Sequence, residues 1–158
     1  GRCNLRCPWC DTEFDEWDDM TLGQLIDEVT RYDCDRVILT GGEPAMQDLP
    51  PLCNSLKALE YHISIETNGT IALPSGLIDW ICVSPKDQEY PDVAIRQREG
   101  DELKVVFLGQ DMSMYDNLKD ETKSIEWNGL NFHQTYEAVK TDPAWRLSLQ
   151  THKWMCVE

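Results

Sequence analysis

The chain has 158 residues and a mass of 18.2 kDa, the size of one ordinary domain. Its 14 basic and 29 acidic residues give a formal net charge of −15, which argues against binding to nucleic acid or to an anionic membrane because both need clustered cations. No apolar run approaches the roughly 20 residues of a membrane span, and the contents of 41% hydrophobic and 27% charged residues are typical of a soluble globular protein.

Segments typical of helices and of strands alternate along the chain. Thr21 and Gln24 form a capping box before apolar residues at helical spacing, which predicts a first helix that includes Leu22 to Val29. Two further helices are predicted, from Pro51 to Leu59 and near Gln134 to Lys140. Short apolar runs bounded by Gly, Pro or Asn predict strands at 36–40, 61–67, 80–84, 103–107 and 146–150.

This alternation predicts an α/β fold in which helical crossovers connect the strands of a parallel sheet. Functional groups in such folds collect at the carboxyl ends of the strands. The rule singles out the polar segments that come at the ends of predicted strands, which are residues 40–43, 66–69, 84–86 and 150–153.

The cysteines bear on the cellular compartment. There are seven of them, and an odd number excludes complete internal pairing. The chain opens with Gly1-Arg2-Cys3 and shows neither the charged nor the apolar region of a signal peptide. We therefore expect a reducing, cytoplasmic compartment, where clustered cysteines usually indicate metal or redox chemistry. The missing initiator methionine leads us to expect a fragment with further sequence upstream.

Three of the cysteines lie close together, at C-x3-C-x2-C spacing: Cys3, Cys7 and Cys10. Zinc sites and structural 4Fe–4S clusters usually take four protein ligands, and no fourth lies nearby. Three ligands leave one iron of a 4Fe–4S cluster open to S-adenosylmethionine, whose reductive cleavage releases a 5′-deoxyadenosyl radical. The alternative is a zinc site completed by Cys34, Cys53 or a distant histidine.

The loop CNLRCPWC, from Cys3 to Cys10, resembles the cluster-binding loop of the radical S-adenosylmethionine superfamily. Further segments resemble one subfamily, the 7-carboxy-7-deazaguanine synthases, in the same order along nearly the whole chain. These segments are CDT at 10–12, GGEP at 41–44, ETNGT at 66–70, SPK at 84–86 and WRLSLQTHK at 145–153.

The resemblance implies a single domain over residues 1–158, folded as an incomplete parallel (β/α) radical S-adenosylmethionine barrel. We expect this domain to be truncated at its N-terminus, because the family has a strand before its first cluster cysteine and only Gly1 and Arg2 precede Cys3 here. A second departure lies at 124–128, where the family tends to carry a Gln-Pro pair that lines the cofactor.

The activity implied is that of a carbon–nitrogen lyase in queuosine and deazapurine biosynthesis. The enzyme would convert 6-carboxy-5,6,7,8-tetrahydropterin to 7-carboxy-7-deazaguanine with loss of ammonia. Its cofactors would be a 4Fe–4S cluster, S-adenosylmethionine and Mg²⁺. Its partners would be the small pterin substrate, an electron donor such as flavodoxin or ferredoxin, and a second copy in a homodimer, with no nucleic acid and no membrane.

The resemblance also assigns roles to individual residues. Cys3, Cys7 and Cys10 would ligate the cluster, and Thr12 would offer its oxygen to Mg²⁺. The residues expected at S-adenosylmethionine are Trp9, Asp11, Gly41, Gly42, Glu43, Glu66, Asn68, Ser84, Pro85 and Lys86. The residues expected at the pterin are Thr40, Gln150 and His152.

Two other functions remain open from the sequence. An activase that installs a glycyl radical on a partner enzyme would share the cysteine loop, and a zinc or redox module would use the thiols without catalysis. Single motifs also have ordinary explanations, since GGEP alone is a common turn, Glu66 could be a surface carboxylate, and His152 could be a structural histidine.

Overall fold

A computed structural model describes residues 2–10, 12, 17–127, 129, 131–151 and 155 of the chain. Within these residues, six strands form one sheet in the order β1-β2-β3-β4-β5-β6. Their bounds are β1 Arg36–Leu39, β2 His62–Thr67, β3 Trp80–Val83, β4 Glu99–Val106, β5 Lys119–Glu126 and β6 Trp145–Ser148. Every neighbouring pair is parallel, which confirms the predicted α/β architecture.

The helices lie between or before the strands. Three α-helices span α1 Leu22–Val29, α2 Leu49–Ala58 and α3 Phe132–Thr141 in the described residues, and short 3₁₀ helices span Pro44–Met46 and Met112–Tyr115. The predicted capping box is present, because the backbone N–H of Gln24 donates to Thr21 Oγ1 at 3.3 Å and the backbone N–H of Thr21 donates to Gln24 Oε1 at 2.8 Å. None of the described helices has the length and apolar content needed to cross a bilayer.

Two sequence predictions about the elements are wrong. The strand β5 was not predicted, and β4 begins at Glu99 rather than at Leu103. Residues 99–102 and the strand β5 are rich in charged residues, and Ile125 is the one apolar residue of β5. No helix was predicted in the fully described connections 68–79 and 84–98, and neither of them contains an α-helix, so these two crossovers are not helical.

The sheet has one apolar and one polar face. On the outer face, Ile63 and Ile65 pack with Cys53 and Leu56 of α2, and a second cluster joins Leu103, Val105, Ile125 and Trp145 to α3. Side chains alternate along a strand, so the inner face carries the residues between them, which include Glu66, Cys82, Lys104, Ser124 and Glu126. A polar inner face at the carboxyl ends of parallel strands is the setting for a binding site.

Candidate functional site

A cavity of about 380 Å³ opens at the carboxyl ends of the strands, where the cysteine loop lies beside the turns that follow β1, β2, β3 and β6. The predicted site residues that line it are Cys3, Cys7, Trp9, Cys10, Thr12, Thr40, Gly41, Gly42, Glu66, Asn68, Ser84, Lys86 and Gln150. Glu43 and Pro85 do not line it. Asp11 and His152 lie outside the described residues. The segments singled out in the sequence are therefore brought to one place.

The three cysteines of the loop have free thiols in the described structure. A turn closes between the second and third, where the backbone N–H of Cys10 donates to Cys7 O at 3.1 Å. The sulfur of Cys3 accepts from the backbone N–H of Leu5 at 3.4 Å. Burial raises the pKa of the Cys7 thiol, and the nearby Lys86 ammonium opposes that rise.

The zinc alternative and the cluster use the same three thiols. In the described part of the chain, no group of three or more His, Cys, Asp or Glu side chains, these thiols included, is arranged to hold a single metal ion. The three thiols nevertheless line one cavity. Thiolates are the ligands of iron–sulfur clusters, so the donor set fits a cluster.

The cysteine loop is fixed against the turn that follows Lys86. Trp9 Nε1 donates to Glu89 Oε1 at 2.8 Å, and the backbone N–H of Arg6 donates to the hydroxyl of Tyr90 at 2.8 Å. Lys86 Nζ lies 5.4 Å from the centroid of the Trp9 ring, which is within the range of a cation–π contact. These contacts hold the loop on the rim of the cavity.

A closed ring of hydrogen bonds joins the same loop to the end of β2. Asn4 Nδ2 donates to Thr70 Oγ1 at 2.7 Å, Thr70 Oγ1 donates to Asn68 Oδ1 at 2.7 Å, and Asn68 Nδ2 donates to Asn4 Oδ1 at 3.0 Å. Asn68 Nδ2 also lies 3.9 Å from Cys3 Sγ. Each member of the ring is oriented by the other two, so Asn68 is held beside the first cysteine.

The glycines after β1 have two different roles. Gly41 has φ +116°, a conformation that L side chains rarely adopt. A Cβ on Gly42 would lie 2.0 Å from the carbonyl oxygen of Arg2, and the next residue, Glu43, donates its backbone N–H to that oxygen at 2.9 Å. The cysteine loop, rather than only a ligand, therefore requires the small residue at position 42.

Glu43 is buried, with 1% of its surface exposed. Its Oε1 accepts from Thr67 Oγ1 at 2.8 Å and from the backbone N–H of Ala45 at 3.0 Å. Its Oε2 accepts from the backbone N–H of Asn68 at 2.7 Å. The carboxylate is thus engaged inside the protein, and its predicted contact with S-adenosylmethionine stays a prediction.

Lys86 and Ser84 form a pair beside the cysteines. Lys86 Nζ donates to the Ser84 carbonyl at 2.8 Å and to Ser84 Oγ at 2.5 Å. Burial lowers the pKa of Lys86, whereas the nearby Glu126 carboxylate and the Cys7 sulfur act in the opposite direction. Pro85 between them is buried and shapes the turn without lining the cavity.

Sequence reasoning missed two charged residues of the cavity, Lys104 on β4 and Glu126 at the end of β5. Lys104 Nζ donates to Glu66 Oε1 at 2.7 Å. A lysine inside the apolar run LKVVF was the signal that could have revealed the first. The other lining residues had been assigned no role: Leu5, Thr67, Ser148, Leu149 and Thr151. Thr67 and Thr151 lie in the polar strand-end segments that the sequence singled out.

Comparisons with known proteins show the family to which this chain belongs. The Radical SAM superfamily matches residues 1–81. A 7-carboxy-7-deazaguanine synthase of Bacteroides thetaiotaomicron is 41% identical over 96% of this chain and 81% of its own. The chain belongs to the radical SAM superfamily and, within it, to the 7-carboxy-7-deazaguanine synthases.

Two further proteins match this chain over a similar share of their length. The 7-carboxy-7-deazaguanine synthase of Synechocystis sp. is 35% identical over 99% of this chain and 81% of its own. The crystal structure of QueE from Escherichia coli superposes with a TM-score of 0.75 at 25% identity, over 94% of this chain and 81% of that one. The predicted family and its incomplete barrel are therefore confirmed.

Proposed function

We propose that the chain converts 6-carboxy-5,6,7,8-tetrahydropterin to 7-carboxy-7-deazaguanine with loss of ammonia, as a radical S-adenosylmethionine lyase of queuosine and deazapurine biosynthesis. The observation that carries the proposal is one cavity lined by the three thiols together with Gly41, Gly42, Lys86 and Gln150. The sequence that forms this cavity is 41% identical to that of a protein named 7-carboxy-7-deazaguanine synthase.

Cys3, Cys7 and Cys10 would hold a 4Fe–4S cluster and leave one iron for S-adenosylmethionine. When bound, the cluster supplies the electron that cleaves S-adenosylmethionine and so allows a hydrogen atom to be taken from the substrate. The protein supplies the environment. Asn68 Nδ2 and the backbone N–H of Leu5 lie near the Cys3 sulfur. Lys86 places positive charge near Cys7 and opposes the rise that burial causes in the pKa of that thiol.

The remaining residues would orient the cofactor and the substrate. Gly41 and Gly42 present backbone to the cavity, and the Ser84–Lys86 pair presents a hydroxyl and an ammonium. Thr40 and Gln150 lie on the same cavity, and we assign them to the pterin. A hydroxyl and an amide each donate and accept hydrogen bonds, as the edge of a pterin ring requires.

Four assignments rest on the family rather than on contacts within the cavity. We assign Asp11, Glu43 and Pro85 to S-adenosylmethionine and His152 to the pterin. We also assign Thr12 to Mg²⁺, since Mg²⁺ prefers oxygen ligands and Thr12 lines the cavity.

A radical S-adenosylmethionine enzyme acts on a small molecule and needs a reductant. We propose flavodoxin or ferredoxin as the reductant and a homodimer as the assembly. The cluster thiols must stay reduced, so we propose a cytoplasmic location. One sheet uses strands from Arg36 to Ser148, which supports a single domain.

The test is anaerobic reconstitution with iron and sulfide, followed by incubation with dithionite, S-adenosylmethionine, Mg²⁺ and 6-carboxytetrahydropterin. We expect 7-carboxy-7-deazaguanine by mass spectrometry from the parent protein and neither cofactor cleavage nor product from Cys7→Ala. Cys34→Ala is the matched control, since Cys34 is exposed and does not line the cavity. A colourless protein that retains one zinc ion after reconstitution would contradict the proposal.

A further inference from the structure

The inner face of the sheet carries an ion pair that bridges two strands below the cysteine loop. Lys104 on β4 donates from Nζ to Oε1 of Glu66 on β2 at 2.7 Å. The strand β3 lies between them in the sheet, so the pair spans the inner face at Cys82. Only 15% of the Lys104 side chain is exposed, whereas 43% of the Glu66 side chain is exposed. Lys104 is thus the more buried partner of the ion pair, and Glu66 is the more exposed one.

The pair uses only one of the two carboxylate oxygens. Glu66 Oε1 is bound to Lys104, and Oε2 accepts no hydrogen bond from the residues that the structure describes. A carboxylate held at one oxygen has a defined orientation, and its second oxygen remains a strong acceptor. Because Glu66 lines the cavity, that acceptor is available to a ligand.

The charge state of the pair supports this arrangement. Burial by itself lowers the pKa of Lys104, but the Cys82 sulfur and the Glu66 and Glu126 carboxylates raise it above its usual value. Lys104 therefore stays protonated over the working pH range. The protonated ammonium, 2.7 Å from Glu66 Oε1, therefore orients the Glu66 carboxylate.

The position of the pair indicates which ligand it serves. Glu66 is two residues before Asn68, and Asn68 contacts Asn4 and the Cys3 sulfur of the cysteine loop. Gln150, which we assign to the pterin, follows β6 at the far end of the sheet. Glu66 therefore lies on the side of the cavity where the cofactor would meet the cluster.

We propose that Lys104 is a positioning residue for S-adenosylmethionine: by binding Glu66 Oε1 it orients Oε2 to accept hydrogen bonds from the ribose hydroxyls of the cofactor. The proposal takes the identity of the ligand from the proposed function. It adds Lys104, which would act on the ligand only by orienting Glu66. A hydroxyl pair is a fitting partner because ribose offers donors and an ionised carboxylate only accepts.

The test measures binding of S-adenosylmethionine to the anaerobically reconstituted protein by equilibrium dialysis, without pterin. We expect Lys104→Met to weaken this binding about tenfold, the weight of one charge-assisted hydrogen bond. In cofactor cleavage to 5′-deoxyadenosine, KM should change more than kcat, and the iron content should equal that of the parent. Lys140→Met is the matched control, because Lys140 pairs with Glu137 at 3.1 Å on the surface.

A double variant separates positioning from folding. Removing Lys104 alone leaves the Glu66 carboxylate without its partner, which could destabilise the sheet. Lys104→Met combined with Glu66→Gln removes both charges, and its binding should be no weaker than that of Glu66→Gln alone if Lys104 acts through Glu66. Losses that add in the double variant would overturn the proposal.

The same measurements also show whether the pair of Lys104 and Glu66 serves the pterin instead of S-adenosylmethionine. If Lys104→Met raised the KM for the pterin and left S-adenosylmethionine binding unchanged, the pair would serve the substrate and the proposal would be wrong. Binding and cleavage of S-adenosylmethionine are measured without the pterin. A parent protein that cleaves the cofactor but forms no deazaguanine would therefore refute the proposed function and leave this test intact.

Discussion

The carboxylate of Glu43 joins two turns of the site, because its Oε2 accepts a hydrogen bond of 2.7 Å from the backbone N–H of Asn68. Its Oε1 accepts from Thr67 Oγ1 at 2.8 Å, and its own backbone N–H donates to Arg2 at 2.9 Å. Asn68 in turn contacts Asn4. The turn after β1, the end of β2 and the cysteine loop are thus held as one unit around a buried charge.

We therefore expect Glu43→Gln to destabilise the whole unit. The amide nitrogen that replaces one oxygen cannot accept a hydrogen bond, so a buried donor on Thr67 or Asn68 loses its partner. The cost is about 2–3 kcal/mol of unfolding free energy, measured by denaturant unfolding of the apoprotein. Glu121→Gln, on an exposed side chain of β5, should change stability by less than about 0.5 kcal/mol. Equal stabilities of the two variants would remove Glu43 from this structural role.

Gly42 gives a sharper steric test. In Gly42→Ala the new Cβ would lie 2.0 Å from the carbonyl oxygen of Arg2 and 2.4 Å from its carbonyl carbon, so the cysteine loop must move away. We expect reconstituted Gly42→Ala to bind clearly less iron than the parent, with a lower thermal midpoint.

The matched control is Gly23→Ala in α1, where a Cβ would meet nothing within 4 Å. Alanine is the better helix former by about 1 kcal/mol, so this variant should be slightly more stable and bind iron normally. If Gly42→Ala bound iron as well as Gly23→Ala does, the close approach of Arg2 would have no bearing on the cluster loop.

Local patterns in the sequence predicted the helix α1 and the strands β1 to β3 well, because each depends on neighbours along the chain. The capping residue Thr21 and the apolar runs carry that information locally. They failed for β5, because Ile125 is the single apolar residue in KDETKSIE, so the segment shows neither an apolar run nor an alternation of apolar and polar residues. Ile125 is fully buried, yet its neighbours Ser124 and Glu126 belong to the inner face.

Much of the lining of the cavity was predictable from the sequence, but its internal contacts were not. The C-x3-C-x2-C spacing indicated the cysteines, and motifs at strand ends indicated Gly41 and Lys86, since parallel strands bring their carboxyl ends together. The contact of Trp9 with Glu89 joins residues 80 positions apart, and the pair of Lys104 with Glu66 joins residues 38 positions apart. No local pattern encodes such pairs, because they depend on which strands become neighbours.

The contact between Trp9 and Glu89 provides a test of how the loop is held. Trp9→Phe keeps an aromatic ring beneath Lys86 but removes the Nε1 donor that binds Glu89 at 2.8 Å. A net loss of about 1 kcal/mol should loosen the loop, so we expect the cluster to bleach a few times faster in air, followed by absorbance.

Glu89→Gln is the matched comparison, because its amide oxygen still accepts from Trp9 Nε1. It should bleach more slowly than Trp9→Phe and close to the rate of the parent. Identical rates for the parent and Trp9→Phe would show that this hydrogen bond does not protect the cluster loop.

A buried carboxylate far from the cysteines predicts how stability depends on pH. Both oxygens of Asp120, near the start of β5, are buried and have no hydrogen-bond partner among the described residues. Burial raises the pKa of Asp120 to about 6, with Asp101 adding to the rise and Lys123 opposing it. Because the folded-state pKa exceeds the unfolded value, the fold favours the protonated form. Its contribution to stability is full below about pH 4 and is lost as the pH rises through about 6.

Asp120→Asn should therefore stabilise the protein at pH 8 and leave its stability nearly unchanged at pH 4. The gain at pH 8 is on the order of 1 to 3 kcal/mol, because each pH unit between the folded-state and the unfolded-state pKa corresponds to about 1.4 kcal/mol. Denaturant unfolding of the apoprotein at both pH values measures it, with Asp92→Asn on an exposed loop residue as the control for the loss of one charge. A gain of the same size at pH 4 and pH 8 would mean that ionisation of Asp120 is not the cause, because only the deprotonated carboxylate bears the cost of burial.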